Sequence, residues 1–291
     1  MWTQCRQNLS KCYHGVRIPV VRIFRSMSSG YRVQPDFFII GVQKGGTTSL
    51  FHYLSTHPQV ASILRKEPFY YLWNFNKGLD WYRSNFPFKS EIEAKSRRAG
   101  QKCLVYEAST HYIFYPQAAH RILKDCTDPK FILVLRDPVE RAFSHWRHRK
   151  RRGEEARGFE ECISHELASG GARAIMQERL KDESIEWDWC ERQYLSHGLY
   201  LQQIEGWLDT VNRDRLLILI SEDFFEDPEA GVREAETFLG IKQNVPNGGF
   251  PVYNQGRPGQ MNEDTRRQLV EFYKDSNSRL EAFLGRLLPW S

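Results

Sequence analysis

The six cysteines of this 291-residue chain (Cys5, Cys12, Cys103, Cys126, Cys162 and Cys190) include no Cys-x-x-Cys pair. Their scatter speaks against a zinc site and does not look like a disulfide framework. Long apolar runs are also missing. The stretch 18–24 is interrupted by Arg22, and it falls well short of the ~20 apolar residues needed to cross a membrane. Neither a secretory signal nor a signal anchor is evident. Acidic residues are lacking before Asp36, whereas Arg6, Lys11, Arg17, Arg22 and Arg25 all precede it. Residues 1–34 are therefore expected to form a basic leader, either a disordered extension or an organelle-targeting segment. A dominant charge of one sign is absent as well: 41 basic residues are interspersed with 36 acidic ones, for a net +5. Charge alone thus gives no support for a nucleic-acid partner, although a local basic cleft for an anion is compatible with it.

What is present suits one large domain over residues 35–291. At 41% hydrophobic and 13% aromatic residues, such a length buries a full core. Residues 36–41 (DFFIIG) read as a strand that runs into a Gly-rich turn and then a helix, because Ser49, Leu50, Tyr53 and Leu54 recur at helical spacing. Residues 103–107, 130–136 (KFILVLR) and 216–221 (LLILIS) are further strand candidates. Unbroken apolar runs of this kind belong to strands covered on both faces. Asp137 and Pro138 have the chemistry of an N-cap and a first helical residue. Further helices are expected over 199–211, 228–239 and 263–284, and the Gly-, Pro- and Asn-rich stretch 243–260 is expected to be a long loop. Strands alternating with helices predict an α/β fold with a central parallel sheet and right-handed crossovers.

The first turn carries chemistry. In Gly41-Val42-Gln43-Lys44-Gly45-Gly46-Thr47-Thr48-Ser49, consecutive backbone N–H groups, a helix N-terminus, a lysine and three hydroxyls converge into an anion cradle. This is not a Walker A loop, in which Lys directly precedes the Ser/Thr that holds Mg²⁺. Here Lys44 comes before Gly45-Gly46 and the hydroxyls follow. Arg136 ends the strand 130–136, at the carboxyl edge where open α/β sheets bind ligands, and a guanidinium grips phosphate in two places. Ser144 lies two helical turns further on and reaches the same anion only if strand end and helix lean together. Phe131 to Asp137 also imitates a Walker B strand, which makes a magnesium-dependent kinase one competing reading. A binding module that has lost its chemistry is another.

The loop at Lys44, the segment Arg136-Asp137-Pro138-Val139-Glu140-Arg141-Ala142-Phe143-Ser144 and the turn Gly256-Arg257 together resemble the sulfotransferases that use 3′-phosphoadenosine 5′-phosphosulfate (PAPS). The similarity is greatest to heparan sulfate glucosaminyl sulfotransferases and bacterial-type carbohydrate sulfotransferases, and it extends from Asp36 to the C-terminus. The resemblance implies a P-loop NTPase-like sulfotransferase fold and PAPS as co-substrate with no metal required. The acceptor it implies is a glycan, sulfated at a hydroxyl or an amine, with a small hydroxylated molecule as the alternative. It implies that Lys44, Gly45, Gly46, Thr47 and Thr48 hold the 5′-phosphosulfate, that Arg136 and Ser144 hold the 3′-phosphate, and that Gly256 and Arg257 close over the phosphoadenosine. It also suggests the Golgi lumen, although no anchor is evident, and the basic leader leaves an organelle or the cytoplasm as alternatives. The dimer motif of the cytosolic enzymes is absent, so the oligomeric state is left open.

Transfer to an alcohol needs a base for the hydroxyl proton and a cation at the oxygen that gathers charge. Lys44 suits the second task. By resemblance Glu67, in Arg65-Lys66-Glu67-Pro68-Phe69-Tyr70-Tyr71, is the base; its bland alternative is a loop glutamate paired with Lys66 or Arg65. His111 ranks second as base, since histidine titrates near neutrality. The chain reads Glu107-Ala108-Ser109-Thr110 where heparan sulfate enzymes have Glu-Lys-Thr-Pro, and no cysteine follows Cys190 to form their late disulfide loop. These departures point away from heparan sulfate itself and toward bacterial-type and chondroitin-type members. The basic run 145–152 is either an acceptor groove or a solvated helix end. About half of Phe69, Tyr70, Tyr71, Trp73, Trp81 and Tyr82 are expected in the core, the rest being available to stack on a sugar.

Overall fold

The apolar run expected to open the fold does so, as strand β1 (Phe37–Gly41), buried along its whole length. The structure is a computed structural model that describes residues 24–168, 191–245, 248–253 and 259–290. Helix α1 (Thr47–Ser55) follows the Gly-rich turn, then strand β2 (Val60–Ser62) and helices α2 (Gly78–Arg83) and α3 (Lys89–Ala99). Strand β3 (Leu104–Ala108) leads to helix α4 (Gln117–Asp125), and strand β4 (Lys130–Leu135) to helices α5 (Pro138–Arg152) and α6 (Phe159–Ala168). Helix α7 (Tyr200–Leu208) precedes strand β5 (Leu216–Ile220), after which come α8 (Ser221–Glu226), α9 (Pro228–Leu239) and α10 (Glu263–Leu284).

All five strands are parallel, in the order β2-β3-β1-β4-β5. The chain thus builds to one side of β1 and then returns to build on the other. The carboxyl end of β1 is the switch point, where a crevice opens between diverging connections. Phe38 of β1 lies opposite Glu107 of β3 on one side and Phe131 of β4 on the other.

Strand β2 was not legible in the sequence. It is three residues long, sits at the sheet edge and buries only Val60, too little to show a period. Helix α7 stops at Leu208, short of the expected 211. Residues 24–34, counted above with the leader, pack onto the domain. Arg25 donates to the carbonyls of Ser84 (2.6 Å) and Phe86 (2.8 Å). Arg32, only 2% exposed, donates to Phe86 O at 2.7 Å. Residues 1–23 lie outside the described residues, among which no helix is long and apolar enough to cross a membrane.

Candidate active site

A cavity of about 820 Å³ opens at the switch point. The β1–α1 turn forms its floor. Lys44 takes a left-handed backbone (φ 71°) and Gly46 one at φ 93°, the latter a conformation that glycine adopts without strain. Gly45 lets the turn lie against β4: a Cβ there would sit 2.5 Å from the Val134 carbonyl oxygen. Lys44, Gly46, Thr47 and Thr48 line the cavity. The third hydroxyl of the motif does not, because Ser49 is fully buried and accepts the Tyr253 N–H at 3.2 Å.

Arg136 and Ser144 line the same cavity, so strand end and helix do lean together. Arg136 Nη1 donates to Lys44 O at 3.2 Å, tying the end of β4 to the turn. Its contact with Glu140, at 4.0 Å, is the looser one. Asp137 is a cap, as expected: its carboxylate accepts from Val139 N at 2.8 Å and Glu140 N at 3.4 Å. The Walker B-like aspartate is thus engaged by the helix it starts. Gly256 and Arg257 lie outside the described residues, but Val252, Tyr253 and Gly259 on either side of them line the cavity.

Facing the turn is the loop after β2. Glu67 has φ 61° and Phe69 φ 46°, conformations that cost a side-chain-bearing residue of order 1–3 kcal/mol each and persist only where the surroundings impose them. The surroundings are the end of β3: Glu67 N donates to Ala108 O (2.9 Å), Phe69 N to Ser109 Oγ (3.2 Å), and Thr110 Oγ1 to Glu67 Oε1 (3.1 Å). Glu67 therefore enters the cavity on a pinned backbone, and Thr110 lines the wall beside it. Lys66, which sequence reasoning treated only as a partner for Glu67, is also in the wall and donates to Thr48 Oγ1 at 3.0 Å. Its adjacency to Glu67 was the signal available. Ser221 and Glu222, just past β5, were missed too; their place at a strand's carboxyl end was the clue.

His111 does not line the cavity. It is 2% exposed with Nε2 2.7 Å from Glu191 Oε1, and His145 and Arg149 converge on the same carboxylate at 3.5 and 3.4 Å. This buried cluster is linked to the site through Gln43, whose Nε2 donates to Glu191 at 3.2 Å. Within the basic run 145–152, Arg147 and His148 reach the cavity, while Arg151 and Arg152 are exposed. Of the aromatics after Glu67, Tyr70, Tyr71 and Tyr82 are core and Phe69, Trp73 and Trp81 half-buried.

The electrostatics suit a polyanion. Burial, and then the neighbouring cations Arg151 and Arg136, lower the Lys44 pKa from 10.5 to about 8, with Glu67 opposing. Lys44, Lys66, Arg136 and Arg147 line the cavity against Glu67, Glu140 and Glu222, an excess of one positive charge in a concave site.

An open parallel sheet with a lysine-bearing, Gly-rich turn at its switch point defines a P-loop-like fold. The chain belongs to the sulfotransferase domain family, which matches residues 34–276. It is similar, at 27% identity, to a membrane-associated sulfotransferase of Dictyostelium discoideum, over 88% of this chain and 66% of that protein. Mouse heparan sulfate glucosamine 3-O-sulfotransferase 3A1 is likewise 27% identical, over 91% of this chain and 66% of its own. The chain thus spans 66% of the length of these curated relatives. A crystal structure of a sulfotransferase from Alicyclobacillus acidocaldarius superposes with a TM-score of 0.65 at 28% identity, covering 88% of this chain and 98% of that one.

Proposed function

We propose that the protein transfers a sulfuryl group from PAPS to a hydroxyl of a carbohydrate acceptor. The observation that carries this reading is the shared cavity: the Lys44 turn, Arg136 and Ser144 on one side and Glu67 on the other. In the proposed reaction the acceptor oxygen bonds to sulfur as the bond from sulfur to the oxygen of the 5′-phosphate breaks. Glu67 takes the hydroxyl proton, Lys44 offsets charge gathering on the bridging oxygen, and 3′-phosphoadenosine 5′-phosphate (PAP) leaves. Thr47 and Thr48 hold the 5′-phosphate end, and Arg136 with Ser144 the 3′-phosphate. The carbohydrate assignment is supported by the named activity of the mouse relative; Phe69, Trp73 and Trp81 are half-buried but do not line the cavity.

Calorimetric titration with PAP and with ATP, both in EDTA, tests the donor site. Tight binding of PAP with little affinity for ATP is expected; preference for ATP once Mg²⁺ is restored would instead indicate a kinase. With PAP binding established, glycans of graded sulfation are screened as acceptors. Glu67→Gln should then leave PAP affinity nearly unchanged and lower turnover by about 10²–10⁴-fold, the usual contribution of a general base. Wild-type turnover in that variant would remove Glu67 from the mechanism.

A further inference from the structure

We infer that Lys66 is a second catalytic cation, which holds the non-bridging oxygens of the sulfuryl group as it passes from donor to acceptor. The inference rests on the PAPS reading above and adds a residue to it. Lys66 Nζ lies 3.0 Å from Thr48 Oγ1, in the first turn of α1, and 3.8 Å from Glu67 Oε1. Its ammonium therefore bridges the donor cradle and the proposed base, at the boundary where the migrating group must cross.

An ordinary surface lysine extends its head into water. Lys66 is only 20% exposed, and its head turns into the cavity. Glu67 does not need it there for charge balance, because Glu67 is 37% exposed and open to solvent. The loop that carries it is fixed at the neighbouring residue by Glu67 N to Ala108 O and by Thr110 to Glu67. Burial lowers the Lys66 pKa, with Glu67 opposing that shift.

The chemistry needs a cation at this point. When the new O–S bond forms and the old S–O bond breaks, charge sits on the leaving oxygen and on the three equatorial sulfuryl oxygens, as it does in phosphoryl transfer. Lys44 addresses the leaving oxygen. Lys66, on the opposite wall beside Glu67, addresses the equatorial oxygens nearest the acceptor, and the acceptor proton still goes to Glu67. An ammonium has three donors, so one bond to Thr48 leaves others for the substrate.

PAP lacks the sulfuryl group, which makes the assignment separable from a role in bracing the loop. Lys66→Met should lower PAPS turnover by about 10²–10³-fold, the cost of removing one preorganised transition-state donor. Its PAP affinity should stay within about threefold of wild type. The ratio of PAPS to PAP affinity, measurable without an acceptor, should fall about tenfold, as loss of a charge-assisted hydrogen bond implies. Lys66→Arg should recover at least part of both. A wild-type affinity ratio in Lys66→Met, or a loss of PAP affinity as large as the loss of turnover, would overturn the assignment. Failure of the wild-type protein to bind PAP at all would instead reject the parent reading.

Discussion

Lys44 shows how a single position can be legible in identity and illegible in state. Its place before Gly45-Gly46 marks it as an anion ligand in the sequence. That its pKa falls to about 8 follows from burial and from Arg151 and Arg136, residues that only the fold brings near. A bound polyanion favours the charged ammonium, so the direction is definite. Free Lys44 loses its proton as pH rises through about 8, PAP affinity should weaken above that pH, and binding near pH 8 should take up a proton. Titrations in two buffers of different ionisation enthalpy measure the uptake, which should vanish in Lys44→Ala. Equal apparent enthalpies for the wild type would contradict a depressed Lys44. Glu67 and His111 mark the opposite case. The sequence offers both as bases, and the choice depends on Glu191, which engages His111 at 2.7 Å.

Among the elements, the strand–turn–helix unit of β1 and α1 was readable because its parts are contiguous. The apolar strand, the glycines and the helical spacing sit side by side in the chain. The close approach of Gly45 to β4 was not readable, since it depends on a strand far away in sequence. Gly45→Ala places a Cβ 2.5 Å from Val134 O, and backbone cannot yield as a side-chain tip does. Overpacking of this kind costs about 1–3 kcal/mol, and the turn should lose PAP affinity with it. Gly30→Ala is the control, for its Cβ would meet nothing within 4 Å; its effect should stay within about 0.5 kcal/mol. Urea unfolding of the two variants makes the comparison, and equal midpoints would refute the packing argument. Helix α5 is a parallel case: Asp137 and Pro138 announce its start locally, whereas the lean that brings Ser144 over the turn belongs to the packing.

For the whole molecule, Glu107 links stability to pH. It is fully buried at the end of β3, accepting from Tyr82 OH at 2.6 Å and Tyr112 OH at 3.3 Å. Burial raises its pKa from 4.5 to about 7 against those hydrogen bonds. Between these two values the folded protein holds a proton that the unfolded chain has released, so this group's contribution to stability falls as pH rises through that window. The loss should be of order 1–3 kcal/mol between pH 5 and 8. Glu107→Gln, which cannot ionise, should show a flatter profile in denaturant titrations across that range. An identical slope would show that Glu107 stays charged in the fold.

The sequence by itself determined the class of fold, through the alternation of strands and helices, and the Gly-rich turn after β1 and the capped helix after β4, because each of these two is encoded within one short segment where backbone and side chain act locally. Tertiary structure alone decided which side chains share the cavity. Lys66 and Glu67 come from the loop after β2, Arg136 from the end of β4 and Ser144 from within α5, and the parallel order of the sheet gathers the strand ends at one edge. Tertiary structure also withdrew His111 into a buried cluster with Glu191. Proximity between distant segments is a property of packing, and no local pattern of residues records it.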